Sequence, residues 1–96
     1  SAYSGWQTFY KKNDEKGKRL ATSIQNELKE TIKVDNKRTA HEISGIYLVD
    51  NVDIPITIVE CGFLSNPQEA KKLLTDEYQN ELAWGIYSGI LNYFNE

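Results

Sequence analysis

With 96 residues, a 40% apolar fraction and a 26% charged fraction, the chain has room for one small globular domain and no more. No run of about 18 apolar residues offers a membrane span. One cysteine and one histidine exclude an internal disulfide and a zinc site built from His and Cys alone. The net charge of −3 conceals an asymmetry: residues 1–40 carry nine Lys/Arg against five Asp/Glu, and residues 41–96 carry two against nine. A basic half of that kind suits either an anionic partner or a solvated, Lys-rich helix face. The Arg/aromatic interleaving of single-strand binders is missing, so nucleic acid is not expected as a partner.

Residues 1–4 are small and polar and read as a loop, and no apolar targeting segment is present. Residues 5–10, GWQTFY, have strand composition. A charged loop with Asn13, Asp14 and Gly17 follows. From Lys18 the positions Leu20, Ala21, Ile24, Leu28, Thr31 and Ile32 recur at steps of three and four, which predicts an amphipathic helix. Residues 34–44 are polar and weakly patterned, with Asp35-Asn36 as a turn signal. Ile46-Tyr47-Leu48-Val49 is a second apolar run, expected as a strand, and residues 50–53 form a turn.

The stretch from Pro55 to Glu69 organises the rest. Ile56-Thr57-Ile58-Val59 reads as a buried strand, and Glu60 stands at its C-terminal end, where open α/β sheets place their ligands. Residues 61–65 make a tight connection into a short helix, with Asn66 as N-cap, Pro67 at the first helical position and Glu69 closing a capping box. Thr75-Asp76 suits a second cap. The last helix carries Tyr78, Leu82, Ala83, Ile86, Tyr87, Ile90, Leu91 and Phe94 on its apolar face. Gly85 and Gly89, four apart, either admit a close neighbour or simply weaken that helix. The order strand–helix–strand–strand–helix argues for an α/β sandwich with part of the sheet parallel.

Two readings of Glu60 are open on these grounds. Between Val59 and Phe63 the carboxylate can be desolvated, as a general acid or base requires. Alternatively it pairs with a lysine or caps nearby backbone amides. Cys61 reads as a small buried hydrophobe and His41 as a surface residue. Ser65 lacks the Gly-x-Ser-x-Gly setting of a hydrolase elbow.

Residues 59–94 resemble the C-terminal signature of the zinc-dependent N-acetylmuramoyl-L-alanine amidases of the type 3 family. The matching elements are Val59-Glu60-x-Gly62-Phe63-Leu64-Ser65-Asn66, then Glu69, Leu73-Leu74, Ala83, Ile86, Gly89 and Ile90. Upstream, Gly5, the first helix and Gly45-Ile46-Tyr47-Leu48-Val49 extend the likeness over nearly the whole chain. Within the family it looks most like the sporulation and germination amidases of clostridia and bacilli.

The resemblance implies that residues 1–96 are the C-terminal half of one amidase catalytic domain, part of a three-layer α/β sandwich with a mixed, mostly parallel sheet. It implies peptidoglycan as substrate, cleaved at the amide between N-acetylmuramic acid and L-alanine, outside the cytoplasm in cell wall or spore cortex. Glu60 matches the catalytic glutamate that works on a zinc-bound water. Gly62, Phe63 and Asn66 would shape the substrate groove. No residue matches a zinc ligand. The family's two histidines and one glutamate lie in the earlier half of the domain, so the implied partners are that complementary N-terminal half and an accessory activating protein. The competing expectation is a non-catalytic fragment that binds cell-wall polymer or a protein partner.

Overall fold

The computed structural model describes residues 6–32, 38–51, 53–61, 67–73 and 75–96. Its elements run β1 (Gln7–Lys11), α1 (Glu15–Thr31), β2 (His41–Ile43), α2 (Tyr47–Asp50), β3 (Thr57–Glu60), α3 (Pro67–Lys72) and α4 (Asp76–Phe94). The strands form one sheet in the order β2-β1-β3. β1 pairs with β2 in parallel and with β3 antiparallel, so the α/β expectation holds with a mixed sheet. Among the described residues the two senses are balanced rather than mostly parallel.

Helix α1 starts three residues earlier than its apolar periodicity suggested, because Asp14 caps it. The Asp14 Oδ1 accepts the Gly17 N–H at 2.8 Å, and its Oδ2 accepts the Ile56 N–H at 3.3 Å. One carboxylate therefore starts the helix and also ties down the entry to β3. The preceding Asn13 has φ +65°, which asparagine tolerates better than most residues. Asp14→Ala is expected to cost about 1–2 kcal/mol, the range for a lost N-cap. Asp14→Asn, which keeps an oxygen for Gly17, should recover most of it. Urea unfolding midpoints of the three proteins check this ordering.

Ala21, Ile24, Gln25 and Leu28 are the buried stripe of α1. Gln25 is polar at a core position for a specific reason: its Oε1 accepts the backbone N–H of Thr8 at 2.9 Å, just before the β2 ladder begins. The Thr8 hydroxyl lies 3.0 Å from the Ala21 carbonyl and 2.9 Å from that same oxygen. Trp6, Ile24, Leu28, Ile32, Tyr78 and Leu82 form the hydrophobic cluster, with Val59 and Cys61 packed against it. Each fully buried aliphatic contributes roughly 1.5–3 kcal/mol.

Two expectations about local structure fail. The run expected as a strand at 46–49 instead gives the helical turn α2, Tyr47–Asp50: the Asp50 N–H donates to the Ile46 carbonyl, and Gly45, at φ +80°, donates its N–H to Asp50 Oδ2. Four apolar residues carry no usable period, so such a run can close into a helical turn when its flanks favour it. The strand instead comes earlier, at His41–Ile43, inside the stretch that looked featureless. The predicted turn at 35–36 and the cap at Asn66 lie outside the described residues. Thr75 does cap α4, its hydroxyl accepting from the Tyr78 N–H at 3.3 Å.

The long helices meet through glycine. Gly85 lies over Leu28 and Gly89 over the backbone of Ile24, and the Ser23 hydroxyl donates to the Gly89 carbonyl at 2.7 Å. α4 accordingly buries Tyr78, Leu82, Gly85 and Gly89. The expected single apolar face is divided: Tyr87, Ile90, Leu91 and Phe94 are exposed.

Candidate functional site

Alternation along β1 decides which way the site faces. Thr8 points to α1, so Gln7 and Phe9 occupy the opposite face of the sheet. The antiparallel register sets Glu60 against Gln7 and Ile58 against Phe9, and directly opposed residues share a face. Glu60 therefore projects on the side of the sheet away from α1, while Val59 and Cys61 turn into the core. Being the last residue of β3, it also stands at the end of the sheet where the chain enters β1.

The Glu60 side chain is exposed, so the desolvation expected of it is not supplied by the described residues. Among those residues no hydrogen bond or ion pair engages its carboxylate. Its backbone is held firmly. β3 is laddered to β1, the Thr57 hydroxyl donates to the Phe9 carbonyl at 2.8 Å, and Asp14 anchors Ile56. Gln7, which composition marks only as a strand residue, is the neighbour that sequence reading missed. It is buried, and its Nε2 donates to the Thr39 carbonyl at 2.6 Å and to the Thr8 carbonyl at 2.9 Å. A polar residue between Trp6 and Thr8 at the head of a core strand was its one available signal.

Gly62, Phe63, Asn66 and Ser65 lie outside the described residues. Cys61 is half-buried, and burial raises its thiol above the ordinary value of 9.0. Its thiolate is therefore scarce at neutral pH, as the reading of a small hydrophobe requires. Labelling by a thiol reagent at pH 8 is expected to run at least about tenfold faster in denaturant than in the folded chain, and equal rates would contradict this.

His41 is exposed in β2, level with Phe9, which places it on the Glu60 face but across the intervening β1. Two strand spacings, about 10 Å, separate it from β3. Among the described residues no three His, Cys, Asp or Glu side chains gather where they could hold a metal. The donor set of a zinc site does not fit these residues. A cavity of about 450 Å³ between α1 and the end of α4, lined by Lys18, Arg19, Ser23, Asn26, Glu27 and Asn92 among others, includes no β3 residue. The candidate site is thus a sheet rim carrying one well-placed carboxylate.

A family model described as N-acetylmuramoyl-L-alanine amidase matches residues 1–92. The chain is 44% identical over 94 residues to the germination-specific N-acetylmuramoyl-L-alanine amidase of Bacillus subtilis, covering 98% of this chain and 39% of that protein. It superposes on the CwlD amidase of Clostridioides difficile, solved in complex with the GerS lipoprotein, with a TM-score of 0.94 and 43% identity over 99% of this chain and 48% of that one. An N-acetylmuramoyl-L-alanine amidase of Clostridium difficile 630 gives a TM-score of 0.88 at 28% identity, with 51% of its chain covered. The chain spans about two fifths of the Bacillus relative and half of the solved chains.

Proposed function

The chain belongs to the N-acetylmuramoyl-L-alanine amidase family, and from that premise we propose that it is the C-terminal half of a peptidoglycan-hydrolysing domain in which Glu60 is the general acid/base. One observation carries this reading. The antiparallel β1–β3 register puts Glu60 opposite Gln7, at the end of the sheet where β1 begins. There the exposed carboxylate is open to groups that a complementary half would supply.

Glu60 takes a proton from the water that attacks the lactyl carbonyl and delivers it to the alanine nitrogen as the C–N bond breaks. General acid/base work of this type contributes about 10²–10⁴-fold. An exposed carboxylate on a rigid strand end is free to face substrate. Gly62, Phe63 and Asn66 are assigned to the groove rim on the strength of the family motif. Zinc, which the family resemblance implies, finds no ligand set among the described residues, and its ligands are assigned to the complementary N-terminal half. The similarity to a germination-specific enzyme supports cortex peptidoglycan as substrate and action outside the cytoplasm. The lipoprotein bound to the similar CwlD supports an accessory protein here as well. Among the described residues no helix is long and apolar enough to cross a membrane.

The test is chain count followed by assay. Intact mass establishes whether the preparation holds one chain or two, and release of L-alanine-terminated peptides from purified cortex is measured with and without the N-terminal half. Activity only with both halves is expected. Turnover by the 96-residue chain alone in added zinc would sink the half-site account. No turnover under either condition would favour a non-catalytic binding fragment.

A further inference from the structure

The cavity of about 450 Å³ between α1 and the end of α4 lies apart from Glu60, because α1 packs on the opposite face of the sheet. Lys18, Thr22 and Asn26 form one row of its α1 wall at four-residue steps, and Arg19, Ser23 and Glu27 form the next. Asn92 and Glu96, also four apart, close it from the α4 side. From Glu15 to Glu27 the wall runs about 18 Å, at 1.5 Å per residue. The volume suits a small ligand, but the lining is polar where sites for apolar molecules are hydrophobic.

Some of these groups are already engaged. Arg19 is held 3.6 Å from the Glu96 carboxylate and 5.6 Å from the centre of the Tyr93 ring. The Ser23 hydroxyl donates to the Gly89 carbonyl. By contrast, among the described residues the side chains of Thr22, Asn26, Glu27 and Asn92 make no hydrogen bond or ion pair, and Glu27 is half-buried. Lys18 is the remaining cation of the lining, 6.0 Å from the centre of the Tyr10 ring, and it faces two unpaired carboxylates, Glu15 and Glu27. An anionic ligand is therefore disfavoured.

We propose that this groove binds a neutral N-acetylated saccharide, the N-acetylglucosamine units of a glycan strand. Sugar hydroxyls both donate and accept hydrogen bonds, and an acetamido group does so through its N–H and C=O. Two carboxamides, a hydroxyl and a carboxylate offer both kinds of partner around one concavity. The choice of a cell-wall glycan rests on the peptidoglycan reading above. A site on the far side of the sheet from Glu60 gives the polymer a second contact, which raises its effective concentration at the first.

Tri-N-acetylchitotriose, a neutral trimer of N-acetylglucosamine, is titrated into the isotope-labelled 96-residue chain and into the domain completed by its N-terminal half. Expected are amide shift changes centred on Ser23, Asn26, Glu27 and Asn92, with the same affinity in both proteins. Asn26→Ala/Asn92→Ala should weaken binding at least about fivefold, the net worth of about one hydrogen bond. Both positions are exposed on helices, where alanine is favoured, so the fold is preserved. Turnover of a small soluble muramoyl peptide by the completed domain should not change in this variant, whereas its retention on insoluble glycan should fall. Three results would overturn the groove as a glycan site: no binding of the trimer, undiminished binding by the folded variant, or binding by the chain that disappears in the completed domain. Tighter binding of the anionic dipeptide L-Ala-D-Glu at the same residues would do so too. Trimer binding by a completed domain without amidase activity would sustain the groove and overturn the hydrolase reading. Turnover without trimer binding would do the reverse.

Discussion

Glu60→Gln, in a domain completed by its N-terminal half, is expected to lower the turnover number for the muramoyl–alanine amide by about 10²–10⁴-fold with little change in KM. Glutamine preserves size and hydrogen-bonding reach but cannot take up the proton that the proposed mechanism assigns to the carboxylate. Structure argues that the loss would be chemical. Glu60 is exposed, and among the described residues no hydrogen bond or ion pair uses its side chain, so the substitution should move folding stability by no more than about 0.5 kcal/mol. The strand holding it is fixed through backbone ladder bonds, Thr57 and Asp14, none of which the substitution touches. Steady-state kinetics beside a urea melt separates the two contributions. Full activity with an unchanged melt would remove Glu60 from the mechanism.

Gly89→Ala is expected to destabilise the chain by about 1–3 kcal/mol, the opposite of what helix propensity alone would give. In an exposed helix the change should gain close to 1 kcal/mol. Here a Cβ at position 89 would stand 2.5 Å from the Ile24 Cα and 2.8 Å from its backbone nitrogen, so two helix backbones must part. That separation would also stretch the 2.7 Å bond from the Ser23 hydroxyl to the Gly89 carbonyl. At Gly85 the nearest obstacle is the Leu28 Cδ2, a side-chain terminus that can rotate, and Gly85→Ala should cost less. Thermal unfolding of both variants checks the ranking. Equal or reversed costs would mean that the helices are less closely seated than these distances indicate.

How far the sequence alone reveals each element follows the local signal that element carries. α1 and α4 announced themselves through long apolar periods and, for α4, a threonine cap. β3 was legible because a β-branched run ends in a charge. β2 was not, since His41-Glu42-Ile43 is three residues long and largely exposed, and only its partner β1 makes it a strand. Residues 46–49 misled for the converse reason: their composition is strand-like, and the decisive contact is Asp50 reaching back to Gly45. The catalytic candidate was visible as a residue, whereas its surroundings were not. Nothing local in Gln-Thr-Phe-Tyr says that Gln7 faces Glu60, because that depends on the antiparallel register of strands about fifty residues apart. On α4 the apolar positions were identified, but their division between two faces was set by which side the glycines present to α1.

Of the three described strands, the central one precedes both its partners in the sequence. Phe9 must wait for His41, 32 positions later, to complete one edge, and for Ile58 to complete the other. Until β2 and β3 follow it, the described element nearest β1 in sequence is α1, whose Gln25 reaches the Thr8 amide only seventeen residues on. Early docking of α1 would thus form the short-range nucleus, with the slower, long-range pairing of β2 and β3 following. A Gln25 substitution would then slow refolding and increase aggregation during synthesis out of proportion to its effect on final stability, since an unshielded strand open on both edges is the species that self-associates.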